Sequence, residues 1–226
     1  MFYDASLTIN PTYTKELFTK MKKLHKKFFC NGNVNVLAND TELVQLSKEA
    51  GCVSWLIGFE SVSQETLDNI GKHTNTVTDY KKAVKNIHKN KMAVVGDFIF
   101  GFDTDTPDVF DKTLQQIKEL NIDVADFCVL TPLPGTQLYE RLDKEGRILT
   151  KDWTCYNLKQ PVFQPKHMTA EQLQKGVTKM YAEFYAPLPT MKRLVKSLKL
   201  GLYPFLLMGA RNLIALMNAR RLKPSS

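Results

Sequence analysis

Residues 93–120 are "AVVGDFIFGFDTDTPDVFDKTLQQIKEL", and the two halves of this stretch have different periodicities. The first half, Ala93–Phe100, is almost continuously apolar, which predicts a strand covered on both faces. After Thr106 and Pro107 the apolar side chains recur at helical spacing. Those side chains are Val109, Phe110, Leu114 and Ile117. The stretch therefore predicts a strand followed by an amphipathic helix that packs on a sheet.

The same unit recurs along the chain. Further strands are predicted at Phe2–Tyr3, Val34–Leu37, Val53–Phe59 and Val124–Leu130. Helix starts are predicted where Asn10, Asp40 and Ser63 offer capping oxygens, and at the capping box "TAEQ" (169–172). Regular alternation favours a parallel sheet, because a parallel connection has to hold a crossover helix. Periodicity does not distinguish two arrangements of this sheet, an open doubly wound sheet and a closed barrel.

Composition limits the classes of protein. The chain has 226 residues, 43% of them hydrophobic, which predicts a globular protein with one substantial core. The four cysteines have neither disulfide nor metal spacing, and the N-terminus does not resemble a secretory signal, so we expect a cytoplasmic, reduced protein. A nucleotide-binding enzyme is disfavoured, because neither G-x-G-x-x-G nor G-x4-G-K-[ST] occurs.

The tail of the chain carries the net charge of +8, since residues 192–223 contain lysines and arginines but no acidic residue. These positive charges flank an apolar middle and do not form a continuous basic face, so nucleic acid is not an expected partner. Pro204 and Arg211 interrupt that middle, which disfavours a membrane-spanning helix. We expect amphipathic helices over 190–222 that lie on a membrane surface, peripherally, or cover an apolar substrate entrance.

Several longer stretches carry a resemblance to a known family. They are "FYDASLTINPTYTKEL" (2–17), "VLANDTELVQLSKEAGC" (36–52), "GFESVSQETLDNIGKHTN" (58–75), "GDFIFGFDTDTPDVFDKTLQQIKEL" (96–120) and "LTPLPGTQLYERLDKEGRI" (130–148). In this order they resemble strands two to six of a radical S-adenosylmethionine (SAM) enzyme. Residues 152–185 resemble the segment after the barrel in the branch that often carries a cobalamin-binding domain.

The resemblance implies a fold and an organisation. The fold is α/β, an incomplete parallel TIM-like barrel with appended C-terminal helices. Residues 1–148 would form the partial barrel, 149–190 a post-barrel segment with a helix, and 191–226 a basic amphipathic helical tail.

The resemblance also implies a SAM pocket at the carboxyl ends of the strands. The residues that it assigns to SAM are Asp4, Gly58, Glu60, Ser61, Ile99, Gly101, Pro132 and Pro134. Gly58, Glu60 and Ser61 would face the ribose and the methionyl end, and Ile99 would face adenine. Without the resemblance, Glu60 could equally be a solvated loop carboxylate and Ser61 a helix cap. Catalytic residues stay unassigned.

A radical SAM enzyme needs a [4Fe–4S] cluster held by three cysteines, usually as Cys-x3-Cys-x2-Cys. This motif does not occur here, and Cys30, Cys52, Cys128 and Cys155 are scattered as small buried hydrophobes often are. We therefore expect a C-terminal portion of a longer enzyme, with no metal ligand in this chain. An upstream segment or a partner subunit would carry the cluster, and a reductase would supply electrons.

The reaction implied by the resemblance is 5′-deoxyadenosyl-radical chemistry on a small-molecule or lipid-like substrate. Methyl transfer that uses cobalamin as a further cofactor is one outcome in that branch. The alternative is a catalytically silent binding module, either truncated or one part of a split enzyme.

Overall fold

The computed structural model describes Phe2, Asp4 and residues 6–221. Within these residues one parallel sheet has the order β1-β2-β3-β4. The strands are β1 (Phe28–Asn31), β2 (Cys52–Glu60), β3 (Ala93–Phe100) and β4 (Val124–Val129). Because the order follows the chain without reversal, the sheet is not doubly wound. The predicted α/β class and partial parallel barrel are confirmed.

Helices connect the strands and follow the last one. They are α1 (Pro11–Met21), α2 (Val34–Asn39), α3 (Thr41–Ala50), α4 (Gln64–Asn69), α5 (Val77–Lys89), α6 (Val109–Leu120), α7 (Gln137–Lys144), α8 (Ala170–Phe184), α9 (Pro187–Ser197) and α10 (Leu202–Arg221). The predicted capping oxygens of Asn10, Asp40 and Ser63 each accept a backbone N–H, and Thr169 and Gln172 form the capping box. Pro204 is compatible with α10 because it lies in the first turn, where its missing N–H costs nothing.

The strand predicted at Val34–Leu37 is wrong, because this segment is helix α2. Val34, Leu37 and Ala38 are buried at helical spacing, and the alternation of Val34 with Val36 imitates a strand. The strand lies earlier, at β1, where no strand was predicted. Helix α1 stops before this strand, since His25 has a left-handed φ of 50°.

The first predicted strand, Phe2–Tyr3, is only partly described, because Tyr3 lies outside the described residues. Phe2 donates its backbone N–H to Phe29 O at 3.1 Å, and Leu7 donates to Asn31 O at 3.0 Å. Phe2 and Leu7 therefore lie beside β1.

The two faces of the sheet are covered differently. The outer face, which includes Trp55, Ile57, Phe59, Phe98, Phe100 and Phe127, packs in the main hydrophobic core with helices α1 to α3, α5, α6 and α8. The inner face consists of alternate residues, namely Leu56, Gly58 and Glu60 of β2, Val95, Asp97 and Ile99 of β3, and Val124, Asp126 and Cys128 of β4. A second core covers the lower part of the inner face, where Val95 and Val124 contact Leu200 and Met208 before and within α10.

The free edge of β4 is satisfied by side chains and a loop. The N–H groups of Ala125, Phe127 and Val129 donate to Tyr185 Oη at 3.2 Å, Tyr181 Oη at 3.1 Å and Leu158 O at 2.8 Å. Tyr185 Oη also donates to Ala125 O at 2.7 Å. Unpaired strand edges are sites of aggregation, so these contacts protect the sheet.

Tyr185→Phe tests this protection. The substitution leaves the buried N–H and C=O of Ala125 unpaired, and we expect a loss of about 1–3 kcal/mol in the free energy of unfolding. Chemical denaturation monitored by circular dichroism measures the change. Tyr203→Phe, on the exposed face of α10, is the matched control and should be close to neutral. Equal effects of the two substitutions would contradict the proposed role of the hydroxyl group.

Candidate functional site

The carboxyl edge of the sheet gathers most of the residues predicted to bind SAM. Gly58, Glu60 and Ser61 end β2, Ile99 and Gly101 end β3, and Pro132 follows β4. Pro132 is buried, whereas Pro134 and Asp4 are exposed. The parallel strands therefore place six of the eight residues at one edge, and the remaining two lie at its periphery.

A β-bulge aims Glu60. Gly58 pairs with Asp97 and Glu60 pairs with Phe98, so β2 advances by one residue more than β3. Glu60 takes a left-handed φ of 63°, which is a strained conformation for a residue with a side chain. Its carboxylate folds back over Gly58, where an added Cβ would lie 2.5 Å from Oε1. Glycine at position 58 therefore leaves the space that the Glu60 carboxylate occupies.

Three residues after β2 hold this bulge, and they were not among the predicted site residues. Asn75 donates to Gly58 O at 2.8 Å and to Phe59 O at 3.0 Å. Tyr80 shares its single O–H between Phe59 O at 2.9 Å and Ser61 O at 2.8 Å. Lys72 Nζ lies 2.9 Å from Glu60 Oε1. Lys72 and Asn75 belong to the quoted stretch "GKHTN", where a lysine and an amide close behind a strand were the available signal.

Ser61 is buried and also has a structural task. Its hydroxyl oxygen accepts the N–H of Ser63 at 3.1 Å, and Ser63 in turn caps α4. Ile99 is half-buried on the inner face, level with Cys128. It gives the edge an apolar surface.

The turn after β3 is fixed by Asp105. Its carboxylate accepts the N–H groups of Gly101 at 2.9 Å and Phe102 at 3.0 Å. Burial raises the pKa of Asp105 to about 6, although these two hydrogen bonds oppose the shift. Gly101 has a φ of 105°, and an added Cβ would lie 2.8 Å from Leu173 Cδ2. Gly101 thus allows α8 to pack close to the end of β3.

The polar residue at the carboxyl end of β1 is Asn31. Asn31 Nδ2 donates to Asp4 O at 2.9 Å, whereas Asn31 Oδ1 is buried without a hydrogen-bond partner among the described residues. Asp4 accepts the N–H of Ser6 at 3.1 Å through its own side chain. Asn31, which was not predicted as a site residue, is the inward-facing polar group here.

A row of charged residues crosses the inner face one step below the edge. Asp97 of β3 lies between Gly58 of β2 and Asp126 of β4 in the strand register. Arg211 of α10 lies 2.7 Å from Asp126. Burial, followed by the charge of Asp126, raises the pKa of Asp97 to about 7. The sequence signal was a single aspartate inside each apolar strand, "VVGDFIF" and "VADFCV".

The cysteines do not fit an iron–sulfur cluster. Cys30 and Cys52 are buried, with sulfur atoms 3.9 Å apart, and Cys128 lies on the inner face. Burial and nearby carboxylates raise the pKa of the Cys128 thiol to about 11, which disfavours a thiolate ligand. Within the part of the chain that the structure describes, no group of three or more His, Cys, Asp or Glu side chains could hold a metal ion.

Comparison with known proteins identifies the family. The profile of the radical SAM superfamily matches residues 1–117, and a domain of unknown function, DUF4070, matches residues 136–204. The chain belongs to the radical SAM superfamily. Bacteriochlorophyllide d C-12(1)-methyltransferase of Chlorobaculum tepidum is 34% identical over 193 residues, which are 85% of this chain and 42% of that protein.

Other members of the superfamily show the same partial coverage. The anaerobic magnesium-protoporphyrin IX monomethyl ester cyclase of Cereibacter sphaeroides is 30% identical over 70% of this chain and 26% of that protein. The radical SAM methyltransferase TsrM of Kitasatospora setae, solved with cobalamin and a [4Fe–4S] cluster, superposes with a TM-score of 0.62 at 16% identity, over 96% of this chain and 51% of that one. The chain thus spans less than half the length of these two curated relatives.

The inner face of the sheet presents hydrogen-bond acceptors to a ligand. Asn31 Oδ1 and Asp97 Oδ1 are buried acceptors without partners among the described residues, and the Glu60 carboxylate lies over Gly58, the neighbour of Asp97 in register. A radical SAM pocket needs such acceptors for hydroxyl and ammonium groups.

None of the helices in the described ranges is long and apolar enough to span a membrane.

Gly101→Ala tests how tightly the edge is built. The new Cβ adds a clash with Leu173 to the strain of a positive φ, so we expect a loss of about 2–4 kcal/mol in the free energy of unfolding. Gly135→Ala is the control, because Gly135 has a φ of 82° but no atom within 4 Å of the added Cβ. It should cost only about 1 kcal/mol. Thermal denaturation compares the two variants. Equal losses in the free energy of unfolding would show that the Leu173 side chain moves aside at almost no cost.

Proposed function

We propose that this chain supplies the SAM pocket and part of the substrate cavity of a radical SAM enzyme. The observation that carries the proposal is the bulge that folds the Glu60 carboxylate over Gly58 at the carboxyl edge of the sheet. A strained residue held by Asn75, Tyr80 and Lys72 costs folding free energy, and such strain is concentrated at ligand sites.

Each residue of the pocket has a proposed role. Glu60 accepts hydrogen bonds from the ribose hydroxyl groups, and Lys72 orients its carboxylate. Ile99 packs against adenine, and Asn31 Oδ1 accepts from the methionyl end. SAM, bound beside a reduced cluster, supplies radical or methyl-transfer chemistry. The chain's residues hold SAM in place and exclude water.

The partners follow from what the described residues do not supply. We propose that the three cluster thiolates come from another segment or subunit, because the cysteines here are dispersed. The relatives are named for methylation or cyclisation of tetrapyrroles, and we propose a small apolar molecule as the substrate. Cobalamin enters only through TsrM, and we assign none of the described residues to it. The predicted boundaries at residues 148 and 190 stay part of this proposal.

Glu60→Ala tests the SAM pocket. Loss of charge-assisted hydrogen bonds should weaken SAM binding at least about tenfold. Calorimetric titration of the full chain measures the affinity, and circular dichroism checks the fold. Glu65→Ala, on the exposed side of α4, is the matched control, and Cys52→Ala and Cys128→Ser should also have smaller effects than Glu60→Ala. Wild-type affinity in Glu60→Ala would contradict the assignment, and absence of any SAM binding would favour a silent module.

A second proposed property is contact with a membrane surface through α9 and α10. Leu188, Met191, Val195 and Leu198 form one exposed apolar stripe at helical spacing, and Leu202, Leu206, Leu213 and Met217 form another on α10. Lys192 and Lys199 are exposed beside the α9 stripe, and acidic residues do not occur between 192 and 221. Exposed apolar stripes bordered by lysines are typical of helices that lie on anionic lipid. Residue 222 of the predicted tail lies outside the described residues.

Liposome flotation tests the membrane contact. The full chain should float with vesicles of phosphatidylserine and phosphatidylcholine at low salt, and less with phosphatidylcholine alone. The double variant Met191→Glu with Val195→Glu should abolish flotation, because it places two carboxylates in the stripe. Leu149→Glu is the control, because Leu149 is similarly exposed but lies outside α9 and α10. If the wild type stays in the soluble fraction, the stripes are instead covered by protein.

A further inference from the structure

Asp97 occupies the centre of the inner face. It lies on β3 between Gly58 of β2 and Asp126 of β4, and two residues before Ile99 on the same face. Its Oδ1 atom is buried and has no hydrogen-bond partner among the described residues. A buried acceptor without a partner destabilises the fold, so its retention calls for a ligand that satisfies it.

The neighbouring cations form their ion pairs with other carboxylates, and only the more distant charge of Arg211 partly opposes the rise in the pKa of Asp97. On one side, the Glu60 carboxylate above Gly58 is bridged by Lys72 at 2.9 Å. On the other side, Asp126 is bridged by Arg211 of α10 at 2.7 Å. Cys128, the remaining titratable group on this part of β4, keeps its proton. Each cation in this part of the described structure therefore serves another carboxylate.

We propose that Asp97 pairs with the positively charged methionyl end of SAM, the sulfonium and ammonium groups, and so selects a cationic ligand. The inference rests on the proposed SAM pocket and adds a specificity-determining residue to it. Burial, followed by the neighbouring carboxylates, makes an ionised Asp97 unfavourable until a cation approaches, so the free protein holds it partly protonated. Cation binding then expels that proton.

The proton count gives a measurement that is independent of catalysis. Since the pKa of Asp97 in the free protein is about 7, binding of SAM at pH 7 should release about half a proton from Asp97. Near pH 9 Asp97 should release about none, and the α-amino group of SAM, which is mostly neutral there, should instead take up a proton as it binds as an ammonium. Calorimetric titration in two buffers of different ionisation enthalpy gives the number directly. 5′-Methylthioadenosine, which keeps the adenosine but lacks both cationic groups, should bind without release.

Asp97→Asn is the decisive variant, because it keeps the shape of the side chain and removes the charge. It should abolish proton release and weaken SAM binding about tenfold or more, while binding of 5′-methylthioadenosine should change less than about twofold. Asp111→Asn, on the outer helix α6, makes the same chemical change in an exposed position and should match the wild type.

The outcomes separate this inference from the proposed function. If SAM binds and Asp97→Asn still releases the proton, or discriminates SAM from 5′-methylthioadenosine as the wild type does, the role of Asp97 is wrong and the pocket stands. If neither compound binds the wild type, the pocket itself is wrong, and the role of Asp97 fails with it.

Discussion

The bulge at the end of β2 is the constraint on which the candidate site depends. One additional residue turns Glu60 out of the strand register and into a left-handed conformation. The energy of that conformation is offset by the hydrogen bonds from Asn75 and Tyr80 to the carbonyl groups around it. The segment from α4 to α5 is therefore part of the site, since it holds the backbone that presents the carboxylate.

Much of the fold could be predicted from the sequence, because the long apolar strands and the helix caps are local signals. The strand β3 has the predicted bounds, β2 is one residue longer than predicted at each end, and β4 is one residue shorter at its carboxyl end. The short strand β1 was missed because four residues, "FFCN", carry too little periodicity and adjoin a helix of similar composition. Its neighbour α2 was misread because two valines two residues apart satisfy either pattern.

The site could be predicted only where a residue stands at the end of a recognisable strand. The family resemblance assigned Glu60 and Ile99 to the candidate site because they end such strands, whereas Asn31 depended on the strand that was missed. Asp97 and Asp126 were visible in the sequence as single charges inside apolar strands. That they are neighbours on adjacent strands follows from the strand register, which cannot be read from the sequence. The roles of the acids after β3 also follow from contacts: Asp103 pairs with Arg141 at 2.5 Å and Arg147 at 2.7 Å, and Asp105 holds the turn.

The tyrosine pair on α8 fixes the direction in which the chain leaves the sheet. Four residues of helix rise about 6 Å and two residues of strand rise about 6.6 Å, so hydroxyl groups at positions 181 and 185 can match alternate N–H groups of β4. The match requires α8 to run antiparallel to β4, because Tyr181 meets Phe127 and Tyr185 meets Ala125. A one-residue insertion between the tyrosines would rotate one hydroxyl by about 100° away from the strand. The spacing of the two tyrosines thus fixes the direction of α8 along β4, so that the chain returns to the amino end of the strands. From there α10 packs on the inner face and places Arg211 beside Asp126.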